Sequence, residues 1–130
     1  MEDHSGSSSI KVVDFSTSAL IDPVKLLTQK LGTPYYTAPE ILEGKYDEKV
    51  DWWSCGAILY VMLCGYPPFS GSSDAEILQN VRRGKYRFPD REWSLISSEA
   101  KDLINKLLTL KARERISMSE SLEHTWITTM

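Results

Sequence analysis

Long hydrophobic runs are missing from this chain. No apolar stretch approaches the roughly 20 residues that span a bilayer, and Met1 to Ser9 holds no hydrophobic segment of the signal-peptide kind. An excess of one charge sign is missing too. The formal net charge is -3, Lys and Arg are scattered among Asp and Glu, and no basic stripe emerges of the sort that phosphate backbones or anionic membranes require. Nucleic acid and membrane are therefore not expected partners, and the expected location is the cytoplasm. Cysteine is scarce: Cys55 and Cys64 fall nine positions apart in one predicted helix, on opposite faces at about 100° per residue, so they cannot pair. Buried, reduced thiols are the expectation. His4 and His124 stand at opposite ends of the chain, far from the close Cys/His spacing of a zinc site.

What is present suffices for one packed core, with 130 residues of which 42% are hydrophobic. Residues 1–9 are polar and Ser-rich, so they cannot bury enough surface to offset the entropy of ordering and are expected to be a flexible N-terminal segment. Ile10-Lys-Val-Val13 reads as a short strand running into Asp14-Phe15-Ser16. From Thr17 to Tyr36 no period survives and Pro23, Gly32 and Pro34 interrupt, which marks a long loop of the length that often carries function. A short helix is expected at Glu40 to Glu43, after Pro39 and before Gly44. Glu48 to Cys64 carries apolar residues all round, including Trp52 and Trp53, and predicts a central helix buried on nearly every side. Ser73-Asp-Ala-Glu76 and Ser117-Met-Ser-Glu120 are capping boxes, the second opening a short helix that carries Leu122 toward Trp126. Ser97 caps a helix whose Ala100, Leu103, Ile104, Leu107 and Leu108 form one apolar stripe. The fold class is mainly α, a bundle around one central helix, with a strand and a long loop in front.

Three motifs stand in order: Asp14-Phe15-Ser16, Gly32-Thr-Pro-Tyr-Tyr-Thr-Ala-Pro-Glu40 and Asp51-Trp-Trp-Ser-Cys-Gly56, followed by Gly65-Tyr-Pro-Pro-Phe69, Arg115 and His124-Thr-Trp126. At this spacing the chain, from about Ile10 to Ile127, resembles the C-terminal lobe of a eukaryotic protein serine/threonine kinase. Tyr46-Asp-Glu-Lys49 and Leu63-Cys-Gly-Tyr-Pro-Pro-Phe69 are most similar to the calcium/calmodulin-regulated group, calcium-dependent protein kinases above all. The resemblance implies a partial kinase-like fold over residues 10–130.

It also implies roles. Asp14 would be the metal-binding Asp, because a carboxylate is the hard oxygen ligand Mg²⁺ prefers when it bridges phosphate oxygens; read alone, Asp14 is an ordinary turn residue at the end of a strand, and only its place ahead of the other motifs favours the metal role. Ser16 stands where the family usually has Gly, which restricts the backbone of that turn. Thr17 to Lys30 would be the activation segment, with Gln29 at the customary phosphorylated position and Thr28 as a substitute candidate for phosphorylation. Thr33 would hydrogen-bond a catalytic Asp supplied from elsewhere, and Pro34, Tyr35, Tyr36 and Thr37 would receive the substrate peptide. Glu40 and Arg115 are expected to pair, and Asp51 to anchor the catalytic loop. Read without the resemblance, Asp51 is a helix N-terminal charge and Arg115 a solvated cation.

Several kinase parts do not occur ahead of Asp14: the Gly-rich loop, the strand Lys, and the His-Arg-Asp catalytic loop with its Asn. The expectation is a fragment that does not phosphorylate alone. ATP, Mg²⁺ and a protein substrate would belong to the full-length parent, and neither cofactor is expected to be held tightly here. No D-x-[DN]-x-[DN]-G calcium loop occurs either. A pseudokinase scaffold and a stand-alone helical interaction module remain open alternatives, and the unpaired strand predicts a homodimer formed through it or through the activation segment.

Overall fold

The computed structural model describes residues 9–30 and 32–130, so the expected flexible segment lies, apart from Ser9, outside the described residues. Proline and glycine punctuate the chain into α1 (Pro39–Glu43), α2 (Lys49–Cys64), α3 (Asp74–Arg83), α4 (Asp90–Trp93), α5 (Ser98–Leu107), a 3-10 turn (Ala112–Glu114), α6 (Met118–Leu122) and α7 (Thr125–Thr128). Pro39 opens α1, where its missing N–H would have had no helical partner anyway. Gly65 ends α2 in the left-handed region, at φ 88°, donating its N–H to the Val61 carbonyl at 2.7 Å.

Serine side chains cap α3, α5 and α6. Ser97 accepts from the Ala100 N–H, and Ser117 with Glu120 forms a complete reciprocal box. The box expected at Ser73 is only half made. Its hydroxyl accepts from the Glu76 N–H, but the Glu76 carboxylate reaches one residue further back, taking the Ser72 N–H at 2.8 Å and the Ser72 hydroxyl at 2.7 Å. The Ser72 N–H and hydroxyl together take up the oxygen that would have closed the box.

The core forms where α2 meets α5 and an aromatic cluster. Gly56 lets the two helices approach, because a Cβ there would lie 2.7 Å from Leu107 Cβ. Trp53 stacks on Phe69 with ring centroids 5.5 Å apart, and Tyr60 is ringed by Tyr66, Tyr86, Phe88 and Trp93. Ala100, Leu103, Ile104, Leu107 and Leu108 are all buried, the stripe their spacing predicts.

Three further expectations need correction. Residues 10–13 form no strand: a strand exists by its ladder, none of the described residues pairs with them, and Ile10, Val12 and Val13 stand exposed. Among the described residues two isolated bridges occur in this region, Asp22 with Lys25 and Leu27 with Tyr46. Helix α2 is not covered on every side. Asp51, Cys55, Ile58 and Met62 follow the spacing of one face and are exposed, Met62 to 76%. An all-round apolar composition fixes no inward face, and α5 with the aromatic cluster covers the others. Cys55 is accordingly an exposed thiol, while Cys64 is half-buried; both are free. Leu122 points to solvent, and Ser121 is the buried residue of α6. Among the described residues no helix is long and apolar enough to cross a membrane.

Candidate functional site

Asp14 adopts a left-handed backbone conformation, φ 65°, which Asp tolerates better than most residues. Its Oδ1 accepts the Ser16 hydroxyl at 2.7 Å and the Ser16 N–H at 3.3 Å. Those bonds, the hydroxyl's first, hold the carboxyl below its ordinary value. The other carboxylate oxygen has no partner among the described residues and faces solvent. Among those residues no group of three or more Asp, Glu, His or Cys is arranged to hold a metal, so Asp14 offers a single hard oxygen donor.

Residues 33–37 fold into a turn fixed from below. The Thr33 carbonyl accepts the Thr37 hydroxyl at 2.8 Å and the Tyr36 N–H at 3.0 Å, and Thr37 is buried. Ser54, on α2, donates its hydroxyl to the Tyr36 carbonyl at 2.8 Å, which ties the turn to the central helix. Tyr35 and Tyr36 keep about a third of their surface in solvent, Pro34 is half-buried, and the exposed Thr33 hydroxyl has no partner among the described residues. Between this turn, the loop over residues 17–29 and the start of α2 lies a cleft of about 800 Å³, whose lining includes Thr28, Thr33, Thr37, Asp51 and Ser54. The exposed Asp51 carboxylate faces it without a hydrogen-bond or ion-pair partner among the described residues. Asp14 does not line it.

Beneath the turn, Arg115 binds Glu40 across 75 positions of sequence. Nη1 donates to Oε1 at 2.6 Å and Nη2 to Oε2 at 3.1 Å, the parallel pair that a planar guanidinium makes with a carboxylate. Nη1 also reaches the Lys49 carbonyl at 2.6 Å, Nε the Thr109 carbonyl at 3.0 Å, and the cation lies 5.2 Å from the centroid of the Trp53 ring. Arg115 is buried, at 4% exposure, so the start of α1, the start of α2 and the turn after α5 meet on one charge.

A protein kinase domain family model matches residues 1–127. The chain belongs to the protein kinase domain family. It is 50% identical over 125 residues to calcium-dependent protein kinase 3 of Plasmodium yoelii yoelii, 95% of this chain and 23% of that protein. Calcium-dependent protein kinase 4 of Plasmodium falciparum (isolate 3D7) is 49% identical over 121 residues, 93% of this chain and 23% of its own length. Calcium-dependent protein kinase 5 of the same organism is 43% identical over 124 residues, covering 95% and 22%. The chain thus spans less than a quarter of the length of these curated relatives.

Within this kinase-domain chain, Thr28, Thr33, Thr37 and Asp51 share one cleft, Glu40 and Arg115 share one lock, and Asp14 stands apart. Sequence reading missed Ser54, although it lies three residues beyond Asp51 and so on the same helix face. It also missed the Lys49, Thr109 and Leu110 carbonyls around Arg115, since backbone acceptors leave no residue-type signal. The closing His124 is a helix cap: its Nδ1 accepts the Trp126 N–H at 3.2 Å, leaving Nε2–H to donate to Asp102 at 2.8 Å.

Proposed function

We propose that the chain is the C-terminal part of a protein serine/threonine kinase domain, resembling calcium-dependent protein kinases, that transfers the ATP γ-phosphoryl group to protein Ser or Thr in a longer parent. The observation that carries the reading is the Glu40–Arg115 lock under the turn of residues 33–37, a hydrogen-bonded shelf beside Asp51, which has no partner among the described residues. Thr33, Pro34, Tyr35, Tyr36 and Thr37 form the shelf on which a substrate peptide lies, and Thr33's free hydroxyl is positioned to bond a catalytic Asp from the remainder of the domain. Asp51 anchors the backbone of that catalytic loop. The loop ahead of the shelf is the activation segment, with Thr28 exposed for phosphorylation.

Asp14's free oxygen fits Mg²⁺, which commonly takes one or two carboxylates and keeps waters and phosphate oxygens in its other positions. The metal would neutralise phosphate charge when bound. Phosphoryl transfer rests on positioning and electrostatics from many groups at once, so Asp14 and the shelf alone give no turnover. Calcium control belongs, on this reading, to other parts of the parent. Ser16 favours a second reading, a pseudokinase scaffold, because its hydroxyl already occupies Asp14 Oδ1.

The deciding experiment joins the chain behind the ATP-gripping half of a calcium-dependent protein kinase and measures Mg²⁺- and ATP-dependent phosphorylation of a protein substrate. Activity lost in Asp14→Asn is the expected result. A joined protein that folds, binds ATP and stays inert supports the scaffold instead. Saturable micromolar binding of Mg-ATP by the chain alone contradicts the division of labour described here.

A further inference from the structure

Four of the six residues from Arg82 to Arg87 are cations, and the fold leaves them without an ion pair among the described residues. Arg82 and Arg83 lie in the last turn of α3, where cations complement the helix dipole. Lys85 and Arg87 have no such local reason. After Gly84 exposure alternates residue by residue along a segment that is neither helix nor paired strand. Tyr86 and Phe88 turn inward, Tyr86 donating its hydroxyl to Asn105 Oδ1 at 2.6 Å and Phe88 packing on Trp93 at 4.6 Å, while Lys85 and Arg87 are exposed. Tyr60 donates its hydroxyl to the Arg87 carbonyl at 2.6 Å and fixes the backbone from below. Gly84 holds the start: it sits at φ 61°, and a Cβ there would strike Leu110 Cγ at 2.4 Å. The two cations are thus displayed on one side of a pinned segment, beside an open hollow of about 820 Å³ lined by Tyr86, Phe88, Asn105 and Leu108 among others.

We propose that this surface docks an extended acidic protein segment with carboxylates on alternate residues. Successive same-side residues of an extended chain lie about 6.7 Å apart, so a Glu-x-Glu partner matches Lys85 and Arg87 in register. Among the described residues no backbone N–H from Lys85 to Phe88 has a hydrogen-bond partner, which leaves donors for the backbone of such a segment. Little ordering entropy is lost on the kinase side, because the aromatic anchors already hold the segment. The net charge of -3 argues against a polyanion that would face much of the surface, such as nucleic acid or a membrane. The docking surface is independent of phosphoryl transfer.

Fluorescence anisotropy of the full chain with a labelled Glu-Ser alternating peptide, about eight residues long to cover that segment, tests it. The expected result is saturable binding that weakens with salt, falls about tenfold or more in Lys85→Glu with Arg87→Glu, and is unchanged in Arg113→Glu. Should charge reversal prevent folding, Lys85→Gln with Arg87→Gln must weaken binding in the same direction. No peptide binding, equal binding by the folded double variant, or equal binding of a single-stranded oligonucleotide or phosphatidylserine vesicles overturns the proposal.

Discussion

Arg115 concentrates much of the long-range bonding on one side chain. Its removal strands the Glu40 carboxylate, whose side chain is 13% exposed, together with carbonyls of Lys49 and Thr109. Arg115→Ala should therefore cost on the order of 3–5 kcal/mol in chemical denaturation, the range for breaking a buried ion pair. Arg113→Ala, at an exposed position with a long contact to Glu114, should change stability by less than about 0.5 kcal/mol. Arg115→Lys should recover only part of the loss, since one ammonium cannot make the two parallel bonds. Tyr60 and Tyr86 make a second residue-scale prediction. Burial pushes both hydroxyls well above the ordinary value of 10.0. A raised folded value contributes stability that is intact below the unfolded value and lost as pH climbs from there through the folded one. Tyrosinate absorbance should show Tyr60 and Tyr86 ionising only well above pH 10.0, with unfolding setting in as they do. Tyr60→Phe should flatten that alkaline slope while removing one hydrogen bond, worth about 1 kcal/mol.

At the scale of elements, α2 and α5 meet at Gly56. Gly56→Ala should destabilise by about 1–3 kcal/mol despite better helix propensity, because the added methyl has Leu107 and Leu108 in its place. Thermal denaturation of the variant beside Gly65→Ala, which meets no neighbour but carries φ 88°, separates steric from backbone strain. Elements defined by local chemistry were legible in the sequence: the helix stripe at Ala100 to Leu108, the Ser97 and Ser117 caps, the stop at Gly65. Elements defined by a partner were not. Residues 10–13 have strand composition and no ladder, and α2 has apolar residues on a face that nothing described covers. The site divides along the same line. Motif spacing pointed to the turn at residues 33–37 and to Arg115, whereas Ser54 and the carbonyls around Arg115 became visible only once the helices were placed.

For the whole molecule, the uncovered face is the main liability. Ile58 and Met62 on α2, with Ile10, Val12 and Leu20 along the front, expose apolar surface that a solution will conceal by association. Sedimentation at micromolar concentration should show a concentration-dependent dimer or larger species, and Ile58→Lys with Met62→Lys should shift it toward monomer. A monomer at all concentrations for the unsubstituted chain would contradict this. The Glu40–Arg115 lock also bears on time. Its partners are separated by 75 residues, so closing that loop is entropically slow until α2 and α5 have already docked. An interaction absent from the transition state acts on the rate of leaving the native state and hardly on the rate of reaching it. Stopped-flow measurements on Arg115→Ala should accordingly find refolding near the parent rate and unfolding accelerated by most of the lost stability, which makes this one guanidinium the timer of the folded lifetime.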